Sequence, residues 1–354
     1  MSNQDLAEQV KNDIQSLQSS LRDLQTSVRM TDIRDSVEDL GTSVKGLDQR
    51  IQSLRERGYA FEKDLKGKAA EFEKEWGKIA PKLEAQIKKE ELALAQSLRP
   101  LETQITGLAG TSTAPAALQS RVSMVKSQVE TLEGRVEAAE SSIRGEYDQF
   151  SSDFHKLEYH LGKLEWMLTE LSEASFKLLA TESGIMAVKA VWAKGKKQTK
   201  EDPEGVLYLT DQRILFEQKE KVATKKVLFV ATEKKLVQET LWDVPIALVE
   251  EVKSRDEGFL GKDDYIDLQF KSGAPYDLVH MHIWHPGDEW VSLINRAKAG
   301  EFDKTRAIPI DQAVIEKVKN APSKCPDCGG AIKQVVLRGM DSVTCEYCGT
   351  VIRL

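Results

Sequence analysis

Apolar residues recur three and four positions apart from the first turns of the chain: Ile14, Leu17, Leu21, Leu24 and Val28, then, after a phase break at 30–35, Val37, Leu40, Val44, Leu47, Ile51 and Leu54. This spacing keeps one narrow stripe on one face of a helix, a seam for another helix rather than a broad core face. In the second run Val37, Val44 and Ile51 share one heptad position and Leu40, Leu47 and Leu54 the other, an assignment that favours two parallel strands when it acts alone. Gly41, Gly46 and Gly58 each weaken a helix by about 1 kcal/mol relative to alanine, and a break is expected near Gly58. A second helical stretch is predicted over 61–108, kinked or restarted at Pro81 and Pro100, where a backbone donor is missing. The small, turn-forming run 109–116 is the expected hairpin apex, and a return helix follows over 118–171, with a four-residue stutter from Ile143 to Tyr147. Residues 1–180 therefore read as a long coiled-coil hairpin, serving either as a spacer or as a surface for self-assembly and partner binding.

Near Thr181 the period changes from helical to alternating. Short β-branched or aromatic runs at 185–192, 205–217, 226–232, 246–252, 265–270 and 276–283 are separated by Gly, Pro, Asp and Lys. A last segment places Trp290, Leu293, Ile294 and Ala297 on one helical face and ends at Gly300. Six or seven strands and one closing helix predict a small open barrel over 181–300, plugged by its C-terminal helix. The residues Gly205 to Phe216 (GVLYLTDQRILF), Val244 to Val252 (VPIALVEEV) and the late Trp290 helix resemble the GRAM and bacterial pleckstrin-homology-like families. That resemblance implies a binding module for membrane lipids or protein partners, with no chemistry of its own.

All four cysteines fall in the last thirty residues, as Cys325-Pro-Asp-Cys328-Gly and Cys345-Glu-Tyr-Cys348-Gly. Each CxxC turn aims two thiolates at one point, and two such knuckles complete a tetrahedral shell around one Zn2+. Gly329 and Gly349 follow the second cysteine of each knuckle, where a positive φ lets backbone amides turn toward the sulfurs. Between the knuckles the chain alternates around an Arg338-Gly-Met-Asp turn, and the terminal TVIRL is expected to add a third strand. The pattern over 322–354 resembles the zinc-ribbon family, behind a linker with a short helix at 301–321. A closed four-cysteine shell offers no open position, so the expected zinc is structural, one per chain. So short a segment has almost no core, and its folding should depend on the metal.

Composition narrows the function classes. The 354 residues are 30% charged and 6% aromatic, with 50 Lys+Arg against 57 Asp+Glu. A net charge of -7 argues against a surface devoted to nucleic acid or membrane, while local basic patches remain open. No apolar run is long enough to span a bilayer and the first residues lack the features of a secretory signal, so the expected location is cytoplasmic, with peripheral attachment at a membrane as the variant. From Lys189 to Lys235 there are twelve basic and seven acidic residues; from Leu236 to Gly300, six and twelve. The basic excess is expected in two loops, Lys194, Lys196, Lys197 and Lys200 in one and Lys219, Lys221, Lys225 and Lys226 in the other. In the pleckstrin-homology families such loops flank the open barrel end where acidic headgroups bind, so these eight lysines are the candidate anionic-ligand residues, with a plain solvated loop as the alternative. His280, His282 and His285 are expected as half-exposed strand residues beside a turn rather than as ligands.

No set of acid, base and nucleophile can be named, and the expected function is that of a non-enzymatic modular adaptor. The coiled coil would make it a homo-oligomer, the barrel would bind a protein partner or an anionic membrane, and the ribbon would contact a partner. The opposing class is a nucleic-acid-associated zinc-ribbon factor. The ribbon's four basic and three acidic residues, and its single aromatic residue, Tyr347, speak against it.

Overall fold

The computed structural model describes residues 3–109, 114–227, 230–257 and 263–354, and the side chains of 222–227 and 230–234 are not part of that description. The chain forms two compact units, one comprising 1–48 and 67–158, the other 49–66 and 159–354.

In the first unit the heptad stripes become helices. Helix α1 (Asn3–Ser27) is followed by a turn in which Met30, with φ of 52°, breaks the helical path before α2 (Thr31–Glu56) begins. Helix α3 (Leu65–Ala109) runs opposite to them: Gln25 bonds Glu102, Arg34 pairs with Glu91, and Gly41 lies against Trp76. Helix α4 (Pro115–Glu173) reverses direction again, with Trp76 stacked on Phe150 and Phe72 edge-on to Phe150 and Phe154. Helix α3 continues through Pro81 and Pro100 without a restart. Both prolines sit on the exposed side of α3, where the carbonyl that loses its donor meets solvent. Residues 110–113 of the expected apex lie outside the described residues.

The seam from Val37 to Leu54 is buried within one chain, as are Leu17, Leu24 and Val28, and Val122, Val125, Val129, Leu132 and Val136 on α4. The spare apolar stripe from which self-association was expected is thus covered internally.

The second unit contains the β-module. Strands β1 (Gly184–Ala193), β2 (Glu204–Thr210), β3 (Arg213–Val227), β4 (Val230–Pro245), β5 (Val249–Glu257), β6 (Asp263–Phe270) and β7 (Leu278–Ile283) form an antiparallel sheet in the order β4-β3-β2-β1-β7-β6-β5. The sheet is rolled, because Trp242 on β4 and Phe270 on β6, far apart in that order, have ring centroids 6.3 Å from each other. Helix α5 (Gly287–Lys298) closes it, burying Trp290 and Ile294 completely at roughly 1.5–3 kcal/mol each, and stops at Gly300 with φ 65°. This is the small open barrel closed by its C-terminal helix that the sequence predicts.

Two strand assignments are corrected. The run 205–217 is two strands, turned at Asp211 and Gln212, and the close approach of the pair requires Gly205: a Cβ there would lie 1.9 Å from the Glu217 carbonyl oxygen. The run 226–232 is not one strand but the far end of a ribbon in which β3 and β4 pair from Arg213/Pro245 out to Val227/Val230. Short helices α6 (Glu301–Lys304) and α7 (Gln312–Lys319) follow α5, the latter capped by Asp311, which accepts from the Ala313 amide at 2.9 Å.

Candidate functional site

The tail is built from two copies of one turn. In each knuckle the amide of the glycine after the second cysteine donates to the carbonyl of the first: Gly329 to Cys325 and Gly349 to Cys345, both 2.9 Å. The first cysteine's own amide then donates to the residue beyond, Cys325 to Gly330 (2.8 Å) and Cys345 to Thr350 (2.9 Å). The glycines make this possible with φ of 73° and 77°. The result brings the Sγ atoms of Cys325, Cys328, Cys345 and Cys348 within 4.8 Å of one another, the one such metal-ligating group among the described residues.

The donor set fits a metal ion. Cys325 Sγ lies 3.6 Å from Cys348 Sγ, and Cys328 Sγ 3.7 Å from Cys345 Sγ. A tetrahedron with metal–sulfur bonds of about 2.3 Å has edges of about 3.8 Å. As free thiols the four compete for hydrogen bonds. The Thr350 hydroxyl and amide draw Cys348 down to about 6, while Cys328 is pushed up to about 12, the neighbouring thiols outweighing the Gly330 amide that favours its thiolate. Cys325 and Cys345 are buried with Val343 and Ile352, so two of the four buried residues of the tail core are themselves candidate ligands.

The expected ribbon is only partly formed. Strands β8 (Ser342–Thr344) and β9 (Val351–Arg353) pair, but the segment before them meets the sheet rule only at a single bridge, Lys324 to Ala331. The third strand expected from the terminal TVIRL forms as β9, whereas before the Arg338 turn Val335, Val336 and Leu337 form no strand and line a groove of about 560 Å³ with Ile246, Ile310 and Ile315. Arg338, next in the chain, reaches the β2–β3 turn.

The eight candidate lysines do not converge. Lys194 to Lys200 do occupy the β1–β2 loop, but Lys219, Lys221, Lys225 and Lys226 stand on strand β3 rather than in a loop. Lys194 Nζ lies over the Trp192 ring, and Lys197 pairs with Glu257 at 2.9 Å. The loop is pinned against β5–β7: Gln198 donates its amide to Tyr265 and contacts His282, and Arg255 donates to the Lys196 carbonyl. Lys219 is bound by Glu170 and Glu173 of α4, both at 2.8 Å. Lys196, Lys200 and Lys221 are exposed; Lys225 and Lys226 are described through their backbone alone. The three histidines separate as well: His280 meets Asp267 (2.7 Å), His282 meets Gln198 (2.6 Å) and His285 accepts from Lys163 (2.7 Å).

Glu182 and Glu217 are buried carboxylates that the sequence pattern does not mark. Glu182 accepts from Arg213 Nε and Nη2 (3.0 and 2.7 Å) and from the Thr210 hydroxyl (2.6 Å), while Arg213 Nη1 reaches Asp243 (2.6 Å). Thr210 and Arg213 thereby hold the β2–β3 turn to the chain that enters the module. Glu217, fully buried, accepts from the Ser175 amide (2.6 Å), Gln238 (3.1 Å) and Tyr208 (3.0 Å).

The fold and site define a rolled seven-stranded antiparallel module closed by a helix and followed by a four-thiol tail. No protein-family model matches the chain, and no curated protein matches it. Among solved structures it is similar to a pleckstrin homology domain from Shewanella amazonensis (18% identity over 34% of this chain and 88% of that one, TM-score 0.21). It is also similar to a protein with a pleckstrin-homology domain from Shewanella loihica (16%, 35% and 82%, TM-score 0.21) and to the hSac2 domain of the human phosphoinositide phosphatase Sac2 (12%, 44% and 88%, TM-score 0.25). No described helix is long and apolar enough to cross a membrane.

Proposed function

We propose that the chain is a non-enzymatic adaptor in which a helical bundle carries a pleckstrin-homology-like module, and the tail holds one structural zinc ion and contacts a protein partner. The observation that carries this reading is the four-thiol set. Four thiolates fill a tetrahedral shell, so no coordination position is left for a substrate, and soft sulfur donors suit zinc. When bound, the ion supplies folding energy, on the order of 10–16 kcal/mol for such sites at neutral pH. The chain's own residues do the rest: Gly329 and Gly349 shape the knuckles, and the exposed Tyr347 and Val351 offer apolar contact to a partner. Self-association is not required, because the helical seams are buried within one chain.

Affinity capture tests the reading. The intact chain should retain a partner that a Cys328→Ser, Cys348→Ser chain loses, and equal retention by both would overturn the role given to the tail. A second reading, attachment to an anionic membrane, is favoured by the exposed Lys196, Lys200 and Lys221. It predicts sedimentation with phosphatidylserine vesicles at low salt and release when the three are changed to glutamate. Binding to neutral vesicles of equal strength would rule it out.

A further inference from the structure

The tail does not hang from the β-module; it is fastened to it. The turn between the knuckles is held on the tail side by Val336 and Met340, which pack against the cluster of Cys325, Val343, Cys345 and Ile352. Between them the chain presents Arg338 and Gly339 outward. The Arg338 amide donates to Gln212 Oε1 (2.6 Å), Gln212 Nε2 donates back to the Arg338 carbonyl (3.0 Å), and the Arg338 guanidinium reaches Asp211 and Asp303. Arg306 bonds the same Asp211 oxygen (2.6 Å), so two guanidiniums meet one carboxylate that is almost wholly buried. Gly339, with φ 83°, lies so close to Leu179 and Ala180 that a Cβ would be 2.7 Å from the Ala180 nitrogen.

Apart from the Arg338 bond to Asp303 on α6, these contacts are to the β2–β3 turn or to the segment between α4 and β1. Asp211 also binds the Ser183 amide (2.9 Å) and donates its own amide to the Ser183 carbonyl. The docked turn therefore closes a circuit from the thiol cluster, through Val336 and Met340, to Asp211 and on to Ser183.

Resting on the metal reading above, we propose that occupancy of the four thiols operates a latch: with metal bound the 336–340 turn is fixed and clamps the Asp211–Gln212 turn to the chain entering the module, and loss of metal releases it. Half of the tail's buried core consists of metal-binding side chains, so an unloaded tail lacks the means to hold Val336 and Met340 in place. Release takes from the buried Asp211 one of its two guanidinium partners and frees Gln212, loosening the segments on both sides of β1–β2 while the strands themselves stay paired.

Hydrogen exchange on the intact chain, loaded with zinc and after stripping with a chelator, reads both ends of the latch, with elemental analysis on the same samples. Stripping should accelerate exchange about tenfold or more at 336–340 and also at 179–183 and 210–213, the effect of losing hydrogen bonds of ordinary net strength, with β6 and β7 unchanged. Arg338→Ala should accelerate 179–183 and 210–213 while zinc content stays at one per chain; Gln212→Ala serves the same end should the first variant misfold. Acceleration confined to the tail, or an Arg338→Ala chain as protected as the parent, would overturn the latch. A chain that binds no metal would overturn both the latch and the reading beneath it, and elemental analysis tells that outcome apart.

Discussion

Replacing Glu217 by alanine should be among the most damaging single changes in the β-module. The side chain is fully buried at the point where β3 meets the chain leaving α4, and both its oxygens are in use: Oε1 by the Ser175 amide and Gln238, Oε2 by the hydroxyl of Tyr208, itself only 1% exposed. Burial, with Glu217 beside it, holds that phenol well above its ordinary range, so it remains a donor at every accessible pH. Truncation strands the buried Tyr208 hydroxyl and takes an acceptor from the Ser175 amide, while Gln238 keeps its bond to the Glu173 carbonyl. A buried donor without a partner costs about 1–3 kcal/mol, and the exposed Ser175 amide adds less because water can reach it, which gives about 2–4 kcal/mol in all. Glutamine keeps the volume and one acceptor oxygen but turns an NH2 group toward one of the donors, for about 1–3 kcal/mol. Urea unfolding followed by tryptophan fluorescence suits the question, because Trp192, Trp242 and Trp290 are buried in the same module. The expected order is parent, then Glu217→Gln, then Glu217→Ala, with the Ser175 amide exchanging faster in both variants. Losses under about 1 kcal/mol for alanine, or glutamine worse than alanine, would refute the assignment of Glu217 as the acceptor that ties the module to α4.

Three further outcomes follow. Cys345→Ser should reduce the zinc content from one per chain to none while the module's tryptophan spectrum is kept; zinc retained at one per chain would show that the ligands lie elsewhere. Light scattering of the intact chain at micromolar concentration should give a monomer, since Val37 to Leu54 is already buried, and a stable dimer would mean that another surface associates. Burial, the main cause for both, holds His282 and His285 below the ordinary histidine range. Their folded values lie under the unfolded value near 6.5, so the unfolded chain takes up protons first and stability is lost as pH falls through that value. Thermal unfolding at pH 7.5 and 5.5 should show this slope, and a His282→Gln, His285→Gln chain should lack most of it.

What the sequence revealed and what it hid have separable causes. The helical stripes, the alternating runs and the paired CxxC turns are periodic or fixed in spacing, so they survive without knowledge of neighbours. The split of 205–217 was hidden because Asp211-Gln212 is not a glycine turn and leaves no gap in the apolar run. The β3–β4 ribbon was read as loop because lysine is a poor strand former; there the cross-strand ladder, which no single segment displays, overrides propensity. Glu182 and Glu217 carry no pattern at all. The available signal for Glu217 was a carboxylate directly after the apolar Ile214-Leu215-Phe216, where burial demands donors. The ribbon strand expected before the Arg338 turn failed for the opposite reason: Val335 to Leu337 are apolar enough for a strand but line the groove instead.

The same distinction decides between the two partners considered for the module. A sequence count credits the 189–235 region with five more basic than acidic residues, yet charge acts at a surface only where it is not already matched. Of the six candidate lysines with described side chains, Lys197 and Lys219 are neutralised by glutamates and Lys194 lies over Trp192. Lys196, Lys200 and Lys221 remain, and at about 1 kcal/mol each near an anionic bilayer they supply about 3 kcal/mol. That is less than a single acyl chain provides, and stable attachment takes two such signals or several linked copies. With the helical seams buried inside one chain, linked copies are not what the helices offer. The balance of magnitudes therefore favours a protein partner at the module and tail, and it makes weak, salt-sensitive vesicle binding the most that the lysines alone should give.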